Sequence, residues 1–96
     1  MNVSNFKQAF TISGTSPVTV TTATKAVDYI AVVNTSGTAS TITIADGNGK
    51  KFASAQAIPA GEQVSWPIPE GGILFKSGIV VTAGHTNVLD VWIRFA

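Results

Sequence analysis

The residues able to do acid–base, nucleophilic or metal chemistry are few and scattered. There is one histidine, His85, and five acids: Asp28, Asp46, Glu62, Glu70 and Asp90. A single imidazole cannot build a His-based metal site, and cysteine is absent altogether. A Ser–His85–Asp90 triad is conceivable only because serines are plentiful, and the chain holds no Gly-x-Ser-x-Gly elbow to expose a nucleophile. Asp46-Gly47-Asn48-Gly49-Lys50 has the composition of a binding loop, but a calcium loop needs further alternate acids and a closing glutamate. A phosphate loop needs Gly-Lys-Ser/Thr at a helix start, with four residues between its glycines. Neither pattern follows, so the segment reads as a hairpin turn, where Asp-Gly and Asn-Gly supply positive φ. The inventory points away from an enzyme, implies no cofactor, and leaves His85 as a solvated loop residue.

The elements that would have to position any site are strands. Phe6, Gln8, Phe10 and Ile12 share one face of an N-terminal strand, which ends at Ser13-Gly14-Thr15-Ser16-Pro17. Val18 and Val20 alternate with threonines in a second strand, and a loop is expected from Thr22 to Val27. Asp28 to Asn34 is apolar on both faces, as in a strand inside a packed sheet. The turn Thr35-Ser36-Gly37-Thr38 then predicts an antiparallel hairpin with Ser40 to Ala45, with Ile42 and Ile44 inward. Lys51 to Ala57 reads as a short strand with Phe52 buried, with one helical turn as the alternative. Val64, Trp66 and Ile68 alternate after the turn at Pro59-Ala60-Gly61, and Pro67 and Pro69 end that strand or mark it as an edge.

Val64 to Gly84 carries two apolar runs, Ile73-Leu74-Phe75 and Ile79-Val80-Val81, which read as buried strands around which the rest is arranged. Leu89, Val91, Ile93 and Phe95 alternate to the end of the chain. Eight or nine short strands without a convincing helix predict one all-β domain over residues 1–96. Its architecture is an antiparallel two-sheet sandwich of jelly-roll or immunoglobulin-like connectivity. Residues 1–12 form either an edge strand or an N-terminal arm.

Composition narrows the partners. Charged residues make up 11% of the chain, with a net charge of +1, where about 25% charged is usual. With no stripe of Lys or Arg, nucleic acid is disfavoured, and Lys50-Lys51 reads as a solvated turn. No apolar run approaches membrane-spanning length, and MNVSNFKQAF lacks the basic start and apolar block of a signal peptide. A protein made and kept in a reducing cytoplasm is expected, and the sequon Asn34-Thr35-Ser36 is then incidental. So little charge is unusual for a small monomer, which suggests that part of the surface is covered by something else.

Trp92 is the residue most suited to that role. With its neighbours in sequence facing inward, it lies on the outer face between Asp90 and Arg94. A local segment could cover it, or Arg94 could stack on its ring. The alternative is an intermolecular contact, since Trp and Arg are enriched at interface hot spots. Trp66, in phase with Val64 and Ile68, is expected in the core.

The succession YIAVVN, small turn, alternating Thr/Ile strand, Asp-Gly turn, IPAGEQVSWPIPEGG, apolar strand, Ser-Gly, IVVTAG and a final strand resembles small β-sandwich virion proteins of tailed bacteriophages. The resemblance covers residues 28–96 and is one of rhythm, without a catalytic signature. It implies a non-enzymatic capsid decoration (cement) protein, or a tail or head–tail accessory subunit. Such a subunit oligomerises, a trimer being favoured, and sits on the virion beside the major capsid protein without a cofactor. On that reading Trp92, Arg94, Asp90 and the Pro67–Gly72 corner, with Pro67 and Pro69, are the interface candidates. A carbohydrate- or host-surface-binding module using Trp92, Asp90 and Arg94 is the rival.

Overall fold

The computed structural model describes residues 7–86 and 88–95, with side chains described from Phe10 onward. Within them lie nine strands: β1 (Lys7–Ile12), β2 (Val18–Thr21), β3 (Lys25–Asn34), β4 (Ser40–Ala45), β5 (Lys51–Ile58), β6 (Gln63–Ser65), β7 (Ile73–Phe75), β8 (Ile79–Ala83) and β9 (Leu89–Phe95). Phe6, placed by its alternation in the first strand, lies outside the described residues.

The pairing follows one long antiparallel ribbon folded at the Asp46–Lys50 turn. β4 pairs with β5, β3 with β6 and β7, β2 with β8, and β1 with β9. An extended ribbon would leave its apolar face in water. Rolling it adds the pairs β3–β9 and β4–β8 and produces two sheets, β1-β9-β3-β6 with β7 also on β3, and β2-β8-β4-β5. This is an antiparallel two-sheet sandwich wound as a jelly roll, with the strand opposite β3 broken in two.

Alternation places Ile30 and Val32 of β3, Ile42 and Ile44 of β4, Ile79 and Val81 of β8, and Leu89, Val91 and Ile93 of β9 in one core, each almost fully buried. Burial of each such side chain favours folding by about 1.5–3 kcal/mol. Trp66 is half-buried at the margin of this core, edge-on to Phe52 with ring centroids 5.8 Å apart. The expected turn at Asp46 is present. The Asp46 carboxylate accepts from the amides of Asn48 and Lys50 at 3.0 and 2.9 Å, and Asn48 Nδ2 donates to Ser77 Oγ at 2.7 Å. That last bond ties the ribbon tip to the turn between β7 and β8.

Three expectations are corrected. The segments before and after Thr35–Thr38 do not form a hairpin: β3 and β4 lie in opposite sheets, so the turn is an arch across the sandwich. β3 begins at Lys25, inside the expected loop, because its first three residues pair with Phe75, Leu74 and Ile73 of β7. The run Ile73-Leu74-Phe75 is a three-residue edge strand with Phe75 buried and Leu74 56% exposed, so it does not organise the domain. The centre of the larger sheet is instead the β3–β9 pair.

Asn34 explains the arch. It continues the inward phase of Ile30 and Val32, yet its fully buried side chain is an amide. Nδ2 donates to the carbonyls of Thr38 (2.8 Å) and Ile58 (3.0 Å). Oδ1 accepts from the Ser36 amide (3.0 Å) and hydroxyl (2.7 Å). The carboxamide therefore holds the crossing loop and the end of β5 together, and a glycan on the sequon would have no room. Replacing Asn34 with Ala should leave the buried Ile58 carbonyl without this donor, free the arch from β5 and lower the unfolding free energy by about 2–4 kcal/mol. Urea denaturation would measure it, and a loss below about 0.5 kcal/mol would show that the amide does not hold the arch.

Candidate interaction surface

The outer face of the larger sheet is built from the residues that alternate away from the core. Cross-strand register aligns them in rows: Ala9, Trp92, Ala31 and Ser65 in one, and Thr11, Asp90, Val33 and Gln63 in the next. Trp92 is 40% exposed, as its outward phase predicted. Ala31, on the same outer face, is only 1% exposed. A methyl between larger cross-strand neighbours loses its water to them, and Trp92 is the large neighbour directly opposite Ala31.

The charges beside Trp92 already have partners. Between Val27 and Tyr29 the β3–β9 register slips, so that β3 carries one extra residue, Asp28. This bulge aims Asp28 at Arg94, whose Nε donates to Asp28 Oδ1 at 2.6 Å. Arg94 is thus held in an ion pair with Asp28, which answers the alternative of stacking on Trp92. On the other side, Thr11 Oγ1 donates to Asp90 Oδ1 at 3.0 Å. At the neighbouring margin the Lys25 ammonium lies over the Phe95 ring, 5.4 Å from its centroid.

The fold does not bring all the candidates together. Asp90, Trp92 and Arg94 share β9, whereas Pro67 and Pro69 are exposed in the corner joining β6 to β7, on the far side of β3. That corner is closed by a bond from the Gly72 amide to the Pro69 carbonyl at 2.9 Å.

Alternation alone did not reveal a second feature, an apolar cleft between the edge strands β5 and β7. Phe52, Ile73, Leu74 and Phe75 line it, with Asp46, Lys50 and Lys51 at its rim. Its volume of about 190 Å³ would hold one ring or branched side chain, below the usual range of about 300–1,000 Å³ for small-molecule sites. No pattern in the residues announces it, because an edge strand as short as β7 could not be placed from the sequence.

His85 is exposed in the loop before β9. Among the described residues no hydrogen bond or ion pair joins it to an acid or a serine, and no cluster of acids and histidine has metal-binding geometry. The loop that carries His85 begins at Gly84, after β8 ends at Ala83, and Asn87 lies outside the described residues.

The Asp28–Arg94 pair is about one-third exposed on each side, so solvent screens it. Asp28→Ala should lower stability by no more than about 1 kcal/mol. Salt near 0.5 M, roughly five times the concentration at which screening extends 10 Å, should shrink the difference. Paired urea titrations would read this, and a larger, salt-insensitive loss would mean that the bulge itself depends on the pair. The chain matches no family model, no curated protein and no solved structure.

Proposed function

We propose that the protein is a non-enzymatic structural subunit that works by self-association and by docking on a larger protein assembly. The resemblance in strand rhythm makes this a decoration subunit on a phage capsid, next to the major capsid protein, and jelly rolls are a recurrent capsid fold. A tail or head–tail accessory role is the nearest variant. Its place is then the virion surface after synthesis in the host cytoplasm.

The observation that carries this reading is the state of the face around Trp92. Arg94 has its counter-charge in Asp28 and Asp90 accepts a hydrogen bond from Thr11, while the large aromatic remains exposed. A charge that brings its own partner costs less to bury than an unpaired one, and an exposed indole gains most from being covered. The same pairing weighs against the carbohydrate-binding alternative. A sugar platform needs polar groups free to bond hydroxyls beside the ring, and Arg94 and Asp90 are already engaged.

Light scattering at tens of micromolar is the direct test (a range corresponding to roughly 6–7 kcal/mol of association free energy). An oligomer is expected, a trimer by the resemblance, and Trp92→Ala should shift it toward monomer while circular dichroism stays that of a β protein. A strict monomer would overturn the proposal. Selective binding on a glycan array, abolished by Trp92→Ala, would favour the sugar-binding alternative instead.

A further inference from the structure

A β-sandwich has free sheet edges, and each exposes backbone amides and carbonyls able to pair with another chain. Among the described residues five strands lie at edges: β1 on one side of the larger sheet, β6 and β7 on the other, and β2 and β5 in the smaller sheet. Four of the five are blunted. β6 and β7 have three residues each, and β6 runs into Pro67 within two residues of its end. β2 has four residues and a register slip between Thr19 and Thr21. β5 is kinked: its register with β4 slips twice, and Ala55 takes a φ of 47°, a left-handed conformation rare for a residue with a side chain. A kinked strand presents no straight ladder to a partner.

β1 is different. It has six residues and pairs with β9 from Lys7–Arg94 to Ile12–Leu89 without a slip. We propose that β1 is the self-association edge, joining a second copy of this chain antiparallel across a two-fold axis at position 9, so that the two larger sheets become one. The inference rests on the reading that the chain self-associates, and it replaces the trimer with a two-fold pair.

Charge selects the register. Within one copy, Lys7 is the cross-strand partner of Arg94, a like-charge pairing. A two-fold at position 9 sets position 7 opposite Thr11 of the second copy, with Asp90 of that copy one strand beyond. The register therefore sets a lysine position and an aspartate position on the same row on either side of the axis, two strands apart. A two-fold at position 10 pairs Ala9 with Thr11 and leaves Lys7 beyond the paired segment, without that alignment. The chosen register also continues the outer row as Ala31-Trp92-Ala9 followed by its mirror in the second copy. Small residues lie between the two indoles, and the exposed aromatic surface becomes continuous. Half-buried Phe10, at the open margin of the core, is covered by the same junction.

The chain has no cysteine, so Ala9→Cys gives a clean probe. Antiparallel partners stand about 4.5–5.5 Å apart between Cα atoms, within the span a disulfide needs. Under mild oxidation Ala9→Cys should become a covalent dimer on a non-reducing gel, while exposed Leu74→Cys at the far edge stays monomeric. Sedimentation should find wild type dimeric. Asp90→Lys should weaken the dimer by at least about tenfold, and Lys7→Glu combined with Asp90→Lys should restore it. A trimer or other assembly in which Ala9→Cys fails to cross-link would overturn the β1 edge and leave self-association standing. A monomer at all concentrations would overturn both. The cross-link reports on the edge even if Asp90→Lys proves unstable.

Discussion

The structure depends on the rolling of an antiparallel ribbon whose strands are each apolar on one face. Unrolled, the pairs β1–β9, β2–β8, β3–β6/β7 and β4–β5 would satisfy backbone hydrogen bonds and leave Leu89, Val91 and Ile93 in water along with Ile42 and Ile44. Only the added β3–β9 and β4–β8 pairings turn those faces toward one another. This makes β9 the strand on which most rests, because it lies between β1 and β3 and contributes alternate residues to the core and to the outer face. Because it pairs on both sides, the core closes only when β9 is in place.

The backbone at the crossings is shaped by the same demand. Where β3 leaves its sheet, Asn34 supplies an amide in place of an aliphatic side chain, since it must bond the buried carbonyl of Ile58 as well as that of Thr38 in the arch. Where the chain passes from β7 to β8, Gly78 has a φ of 90°, and a Cβ would sit 2.2 Å from the Thr21 carbonyl oxygen. Any side chain at this crossing would push β2 away from β8. The bulge at Asp28 plays a different part. It resets the phase between Val27 and Ile30 so that both face inward although two residues, an even number, lie between them.

These local departures decide what could be read from residue order. The alternation Leu89-Val91-Ile93-Phe95 is unbroken, and so the inner and outer faces of β9, with Trp92 outside, were legible. The start of β3 was not, because the bulge breaks the period of two between Val27 and Ile30 and makes Lys25–Val27 look like loop. Thr35–Thr38 has the composition of a hairpin turn and of an arch alike. The one clue was Asn34, an amide continuing an inward-facing row, which has a physical reason only where the chain turns through the core. Leu74 misled for another reason: in a run of three apolar residues nothing distinguishes a central strand from an edge whose outer face is open. The pairings of Arg94 with Asp28 and of Asp90 with Thr11 join residues far apart in the chain, and no short-range pattern announces them.

Scarce charge links the fold to its use. With charged residues at 11%, the protein has few means of keeping edges and faces apart by repulsion, and it relies on backbone geometry for that purpose. Short strands, slips and the left-handed Ala55 close four edges without spending a charged side chain. Of the charges near Trp92, Arg94 has its counter-charge in Asp28, while Asp90 keeps its charge and is bonded only by the Thr11 hydroxyl, so the desolvation penalty of covering that face is lowered on the Arg94 side and the Asp90 side stays open to a cation. On the proposed reading of a self-associating subunit, such a face would hold its partner by fit more than by long-range steering, so its affinity would lie in the rate of release.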